Sequence, residues 1–436
     1  MSFNHEQKSQ LGALKPFIIV GLASLFYVYE FYLRVMPSAM THDLMRSFNT
    51  DAGGLGLISS LFFFGYAPMQ IPAGLLYDRF GPRILLTTSV FFCGAAALVF
   101  GMTDNFYIAC AARWVIGFTS AFSFIGALVL ASRWYPAKYY AMIAGLVQFM
   151  GSMGAIAGEA PIALIVEKIG WRPTAIWSAV GGLILAILLG LIIRDVPPDP
   201  INVAKHSLNI KRYNNEWERL RRVLGSKQTW AVAVYAFSTW TPISIFPGLW
   251  GVPFIMKLYH TNSSVATQAM IAAWLGTAIA SPLSGWWSNR INSRNIPLAW
   301  CAILNLITSI AVIYLPLSWP VMIIMLFLFG CAAGAQTVTF GVIQDIHPPA
   351  VAGTAVGFNN MAVIAGGVIM MPFVGYILNA IWDGNIVNGV HDYTLENYRL
   401  ALLMVPFCGI MGLISSLFMI KETHCLAQYE LELKQK

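Results

Sequence analysis

Long runs without a single charge constrain this chain more than any other feature. Residues 53–76 carry none, residues 84–103 carry none, and the pattern recurs towards the C-terminus. A helix needs about 20 mostly apolar residues to cross a hydrocarbon layer, and there every backbone polar group must be satisfied inside the helix. Counting on that basis predicts twelve membrane helices, over 16–39, 53–76, 84–103, 106–131, 139–165, 172–193, 229–256, 265–288, 296–315, 320–343, 351–378 and 398–420. The expected class is therefore an all-α, multi-pass membrane protein.

Composition agrees. The chain is 58% hydrophobic and 10% charged, where a soluble protein has about 25% charged residues. Its fourteen Trp and seventeen Tyr suit aromatic belts at the two membrane interfaces. Six Cys show no paired or metal-type spacing, and Cys93, Cys110, Cys301, Cys331 and Cys408 lie in apolar runs. There, free thiols behave as small hydrophobes. We expect no disulfide, no metal site and no cofactor. The first apolar run is too long for a signal-peptide core and lacks an Ala-x-Ala end, so it is expected to remain as the first membrane helix.

The segment 194–228 separates the sixth and seventh helices. It opens with the helix-stopping Asp195-Val196-Pro197-Pro198-Asp199-Pro200 and continues as a basic, amphipathic stretch from Lys205 to Lys227. It marks a boundary between an N-terminal six-helix half, 1–193, and a C-terminal half, 229–436. Basic residues set the orientation. Nineteen fall on the side of the N-terminus and five on the other, with Arg34 and Arg113 inside helices. Both termini are then expected in the cytoplasm. The net charge of +7 reads as a topology signal. A nucleic-acid role would need a folded basic face with base-reading elements, and none is apparent.

Between the second and third helices lies Gly74-Leu75-Leu76-Tyr77-Asp78-Arg79-Phe80-Gly81-Pro82-Arg83. Asp78, Arg79 and Arg83 are expected together at one membrane face, partnered by helix ends and each other. The stretch Gly285 to Arg294 echoes it at an offset of 211 residues: Gly285, Arg290 and Arg294 coincide with Gly74, Arg79 and Arg83, and Asn289 replaces Asp78. Gly145, Gln148 and Gly154 likewise align with Gly357, Asn360 and Gly366 at an offset of 212. Parallel halves of this kind place a solute site near the midplane, between them, with access alternating by rocking.

The spacing Gly-x-x-x-Asp-Arg-x-Gly-x-Arg resembles the signature of the major facilitator superfamily, with Pro82 where that family usually has a basic residue. Arg113-x-x-x-Gly117 resembles its second motif, and Gly170-Trp171-Arg172 is also common there. The resemblance covers essentially the whole chain. It implies the family's fold, twelve helices in two pseudo-symmetric halves. It also implies a monomer and a gating role for Gly74, Asp78, Arg79, Gly81, Arg83, Asn289 and Arg290. Gly158-Glu159-Ala160-Pro161 departs from the family's fifth-helix antiporter pattern, which weakens the case for a drug exporter. The stretches Tyr29 to Ser38 and Gly353 to Met361 look like a proteobacterial branch, similar to the one that imports amino acids in bacteria living inside phagosomes. The lack of long glycosylatable outside loops is compatible with a bacterial inner membrane.

Four ionisable residues lie inside predicted helices of the first half: Glu30, Arg34, Arg113 and Glu159. Charge at membrane depth is costly unless paired or hydrated, which makes each a functional candidate. Glu30 and Arg34 are four apart and share a helix face. An arginine can hold a carboxylate or phosphate bidentately, and a carboxyl held out of water can carry a proton. We assign Glu30 and Glu159 to proton coupling. Tyr27, Glu30, Arg34 and Arg113 are assigned to substrate, with Trp240, Trp250, Gln336, Asn359 and Asn360 from the second half. The competing structural reading makes the charges two ion pairs that lock helices, the tryptophans interface anchors and the amides helix–helix contacts. No intramembrane charge is evident in the second half, where Asp345 and His347 are expected to cap the tenth helix. Pro242 and Pro247 predict a broken seventh helix.

The leading expectation is a secondary transporter that takes up a small zwitterionic or anionic solute, such as an amino acid, short peptide or carboxylate, with protons. Its partners are that solute, protons and the lipid bilayer. A proton-driven exporter of drugs or siderophores is the alternative. A membrane sensor or lipid enzyme is remote, because 194–228 is too short for a signalling domain and the His residues are scattered. No phosphate-binding loop is present, which argues against ATP drive.

Overall fold

A computed structural model describes residues 5–49, 52–158, 160–196, 215–261, 263–384, 386–387, 390–391 and 393–428. Glu159 and most of the central connection, 197–214, lie outside the described residues. The chain divides into two compact units. One comprises Met1–Ile143, Met150–Gly225 and His347–Phe358, and the other Ala144–Phe149, Ser226–Ile346 and Asn359–Lys436.

The first unit contains α1 (His5–Val35), α2 (Thr41–Ser47), α3 (Ala52–Tyr66), α4 (Gln70–Phe80), α5 (Pro82–Met102) and α6 (Phe106–Trp134). Then come α7 (Tyr140–Gly158), whose residues 144–149 group with the second unit, α8 (Ala160–Ile169), α9 (Trp171–Ile192) and the short α10 (Glu216–Leu224). Helix α6 is the axis of the packing: α1, α3 and α5 all lie against it, and α9 lies against α5. Its start is fixed by Asn105, whose side chain accepts from the amides of Tyr107 (2.9 Å) and Ile108 (3.2 Å). These are amides that the first helical turn cannot satisfy itself.

The predicted second helix is broken. It ends at Tyr66 and restarts at Gln70, with Pro68 in the gap. Proline removes a donor and crowds the carbonyl four residues back, which explains the interruption. Gly81, with φ +79°, turns the chain from α4 into α5. A side chain there would be strained, and its Cβ would meet Asp195 Oδ1 at 2.9 Å.

The second unit contains α11 (Lys227–Ile245), α12 (Gly251–Tyr259), α13 (Ser263–Ile291), α14 (Asn295–Tyr314), α15 (Trp319–Ala333) and α16 (Gln336–Ile346). After these come α17 (Ala352–Ala380), whose first residues group with the first unit, α18 (Leu395–Ala401) and α19 (Met404–Ile414). The expected break in the seventh helix is instead a local distortion: Pro242 lies inside α11, and a π-turn over Phe246–Trp250 carries the span on into α12 without interruption. Phe246, Phe254, Phe329, Val374 and Tyr398 form the centre of the apolar core beneath it. Helix α13 packs on α15, and α14 and α11 both pack on α19.

Among the described residues, ten helices are long and apolar enough to cross a membrane. The two remaining predicted spans are the one broken at Pro68 and α13, which is 29 residues long. At 1.5 Å per residue that length is ample. Helix α13 carries Thr277, Ser281, Ser284 and Ser288 on buried surface, so its composition is more polar than its location. Large apolar side chains such as Trp177, Leu191 and Phe418 stand outward, as expected for surfaces that meet lipid chains.

Candidate functional site

Helix α1 carries the charged pair. Glu30 is fully buried, and its Oε1 accepts from Arg34 Nη2 one turn on, as the four-residue spacing predicts. The Arg34 guanidinium lies among aromatic rings, with centroids at 4.3 Å for Phe31, 4.9 Å for Tyr66, 5.3 Å for Phe62 and 5.7 Å for Phe63. Rings over a guanidinium face attract its charge and leave its edge as the approach for an anion. Among the described residues, Glu30 Oε2 and Arg34 Nε are buried without a hydrogen-bond partner. The pair is therefore only half satisfied by protein.

Arg113 serves a different place. Helix α1 ends at Val35 and passes into a 3₁₀ turn, Met36–Met40, that contains Pro37. Arg113, from α6, donates to the carbonyls of Leu33 (2.8 Å) and Arg34 (3.4 Å). These carbonyls belong to the last turn of α1, where a cation is also favoured by the helix dipole. Tyr27 packs edge-on against Phe31 and tilted against Phe124, both at 4.8 Å between centroids. Tyr29 stacks on Tyr32 instead, facing α9. Glu159 lies outside the described residues.

In the second unit, Trp240 and Trp250 are partly buried against the apolar core. Gln336 is the first residue of α16, and it, Asn359 and Asn360 are all buried. Asn359 Nδ2 donates to Thr339 Oγ1 at 2.9 Å, and that hydroxyl donates to the Gln336 carbonyl at 2.5 Å.

The charged turn after α4 finds helix ends, as the sequence suggests. Asp78 accepts from Gly353 N (2.7 Å), Thr354 N (2.8 Å) and Thr354 Oγ1 (2.5 Å), at the start of α17. That close approach needs Gly74, because a Cβ there would collide with the Gly353 carbonyl. Arg83 donates to the Gly190 carbonyl at 2.9 Å, and Arg79 pairs with Glu216 at 2.7 Å. The three residues do not pair with one another.

The second half differs most from expectation. Asp345 does not cap its helix. It forms a buried two-point ion pair with Arg294, at 2.9 Å to Nε and 3.3 Å to Nη2. Arg294 Nη1 also donates to Asn289 Oδ1 at 3.1 Å, while Arg290 is exposed. A buried charge therefore does exist in this half. Both residues are plain in the sequence, but their separation of 51 positions gives no reason to join them. The Phe31, Phe62, Phe63 and Tyr66 enclosure of Arg34 is likewise absent from the expected site. Its signal was present as aromatics four apart, at 62 and 66, on a helix next to the charged one.

A family model described as "Major Facilitator Superfamily" matches residues 19–250 and again 231–427. The chain belongs to the major facilitator superfamily. A relative described as "Probable galactarate/D-glucarate transporter" from Escherichia coli (strain K12) is 22% identical over 408 residues, 84% of this chain and 89% of its own. The gentisate transporter of Corynebacterium glutamicum is 23% identical over 369 residues, covering 81% and 79%. Among solved structures, an Escherichia coli fucose:proton symporter superposes with a TM-score of 0.70 at 17% identity, covering 93% of this chain and 100% of that one. A proton:xylose symporter gives 0.68 at 14% identity, covering 98% and 100%. At such identities the likeness shows the fold, that of a twelve-helix transporter. The protein is thus an integral, multi-pass membrane transporter and not an enzyme.

Proposed function

We propose that the protein is a proton-coupled symporter that takes up a small organic anion or zwitterion, such as a carboxylate, an amino acid or a short peptide. The observation that carries this reading is the Glu30–Arg34 pair, with Glu30 buried, Arg34 partly buried among aromatic rings, and one polar atom on each left without a partner among the described residues. A substrate carboxylate that engages Arg34 draws it from Glu30. A carboxylate left without its counter-charge at membrane depth is costly, so Glu30 takes a proton. Solute and proton then bind together and leave together. Relatives named for galactarate, glucarate and gentisate support the anion, since all three compounds carry carboxylates. Solved neighbours titled as proton symporters support the coupling.

In this reading Tyr27 and Arg113 hold Arg34 in place. Trp240, Trp250, Gln336, Asn359 and Asn360 contact the rest of the solute, and Glu159 is a second proton carrier. The moving halves are 1–193 and 229–436, joined by 194–228. Asp78 and its neighbours form the cytoplasmic gate, with Asn289 and Arg290 as their counterparts. The protein works as a monomer in a bacterial inner membrane, with both termini inside.

The test is radiolabelled uptake into proteoliposomes with an imposed pH gradient, over pools of organic acids, amino acids and dipeptides. Glu30→Gln, Arg34→Lys and Arg34→Ala run in parallel. Glu30→Gln should abolish gradient-driven accumulation while leaving solute exchange, and both arginine changes should abolish binding. Accumulation that survives all three would show the pair to be structural.

A further inference from the structure

The strongest further observation is a pair of buried acceptors in the second unit. Gln336 opens α16, directly after the interruption at Gly334 and Ala335. Thr339 lies one turn on, and its hydroxyl donates to the Gln336 carbonyl at 2.5 Å. A hydroxyl has one proton and two lone pairs. With that proton committed, Thr339 Oγ1 can only accept from its other neighbour, and Asn359 Nδ2 donates to it at 2.9 Å. This decides which way the Asn359 amide faces. A flipped amide would set its carbonyl against an oxygen with no proton to give. Asn359 Oδ1 is therefore held pointing away from Thr339, as an acceptor.

Among the described residues that oxygen has no hydrogen-bond partner, and neither has Gln336 Oε1. The burial is complete for Asn359 and Thr339 and nearly so for Gln336, which is 2% exposed. Buried acceptors without donors are uncommon, and each calls for an explanation. A carbonyl oxygen repels a carboxylate but suits an ammonium, which brings three donors, or a hydroxyl.

We propose that Thr339 is a positioning residue that locks the Asn359 amide with its oxygen outward, so that Asn359 and Gln336 select solutes carrying an ammonium or hydroxyl donor besides their carboxylate. The inference rests on the reading of the protein as a carrier of small organic anions, and it narrows that class. Amino acids and hydroxy acids are accepted, and bare carboxylic acids of the same skeleton are not.

The probes are matched triplets: alanine, lactate and propionate, then phenylalanine, phenyllactate and phenylpropionate, with galactarate added. Their stabilisation of the purified transporter is read as a shift in thermal unfolding, and an apparent Kd is taken from the concentration dependence. In the unaltered protein, donor-bearing members should bind at least about tenfold more tightly than the bare acid, the effect of roughly one hydrogen bond to a charged or polar donor. Thr339→Val should erase that preference, because the amide becomes free to turn, and Thr339→Ser should keep it. Gln336→Ala should weaken the preference without disturbing the Thr339 bond, and it serves if Thr339→Val does not fold.

Bare acids that bind as well as their donor-bearing partners in the unaltered protein overturn the inference. So does a preference that survives Thr339→Val, which is the result expected if trapped water alone meets these oxygens. So does the absence of binding by every donor-bearing probe. The broader reading fails separately. Bare acids that bind and are lost on Arg34→Lys leave the anion site standing while the donor subsite falls. Amino alcohols, which lack the carboxylate, do the reverse if they bind in a Thr339-dependent but Arg34-independent way.

Discussion

Replacing Asp345 by alanine removes one partner of an ion pair whose two side chains are both fully buried. What remains around the Arg294 guanidinium is Ser288 Oγ at 3.2 Å and Asn289 Oδ1 at 3.1 Å, two neutral acceptors. Thr423 Oγ1 also loses its acceptor, Asp345 Oδ2, at 2.6 Å. Breaking a buried pair from one side costs about 3–5 kcal/mol, because a charge is left uncompensated in a medium that screens it poorly. The stranded hydroxyl adds about 1 kcal/mol. For a cooperative unit of roughly 150–250 residues, each kcal/mol moves the thermal midpoint by about 2–4 °C. The expected fall for Asp345→Ala is therefore on the order of 10 °C, followed by Trp fluorescence in detergent. Arg294→Met should cost less, since the carboxyl left behind can take a proton and keep Thr423 as a neighbour. The double change, Asp345→Leu with Arg294→Met, should recover a large part of the loss, because no charge is then stranded. An Asp345→Ala midpoint within about 2 °C of the parent would refute the argument, as would additive losses in the double variant, since residues in one pair should couple.

Glu422 accepts from the amides of Arg294, Asn295 and His424 and from Ser293 Oγ. Burial pulls its carboxyl upward, but these hydrogen bonds prevail and hold it below the usual carboxylate range. Its contribution is therefore present above the ordinary carboxylate pKa and lost as pH falls through the lowered folded value. In a variant that keeps Cys425 as its one thiol, 4,4′-dithiodipyridine should react slowly at neutral pH and much faster after Glu422→Gln, and on acidification its rate should rise relative to that of a free thiol at the same pH, which corrects for the loss of thiolate. Equal rates throughout would show that Glu422 does not hold the segment closed. Asp78→Ala should lower the maximal uptake rate by about tenfold or more, the scale of losing charge-assisted bonds, while changing KM little. A loss confined to KM would place Asp78 at the solute and not at the gate.

Much of the fold is legible in the sequence because lipid allows the chain few choices. An uncharged run of about 20 residues has to be a helix, and the echo between Gly74–Arg83 and Gly285–Arg294 places two similar turns in similar surroundings. The distortion near Pro242 and Pro247 is readable for the same reason: proline acts locally. The break at Pro68 was equally available, yet Pro242 sits inside a continuous helix and Pro68 does not. Whether a proline kinks or interrupts depends on neighbours that supply or withhold partners for the freed groups. The Glu30–Arg34 bond is legible because four residues are one turn. Arg294–Asp345 and Thr339–Asn359 are not, since each joins separate helices and no local period links them. The same holds for Arg113, whose charge signals importance but whose acceptors, two carbonyls at the end of another helix, have no sequence signature at all.

The two halves use one device in two forms. In the first unit, Asp195 follows α9 and its Oδ1 accepts from the amide of Arg83 at 2.8 Å, where α5 begins. In the second, Glu422 follows α19 and its Oε1 accepts from the amide of Arg294 at 2.8 Å, where α14 begins. A carboxylate thus sits at the start of each half's third span, where unpaired amides and the helix dipole favour negative charge. In each case it ties that helix to the half's last span. Arg83 and Arg294 match at the 211-residue offset, but Asp195 and Glu422 do not, being 227 residues apart. The repeat is therefore kept in geometry where the alignment has slipped. The difference lies in the guanidinium. Arg83 reaches an exposed carbonyl at Gly190, so its loss should be mild in the way of surface contacts. Arg294 turns inward to Asp345, and the same substitution there removes one side of a buried pair. Equal replacements at the two matched positions should therefore give unequal losses, with Arg294→Ala well below Arg83→Ala in thermal midpoint. Equal losses would mean that the second knot is as wet as the first.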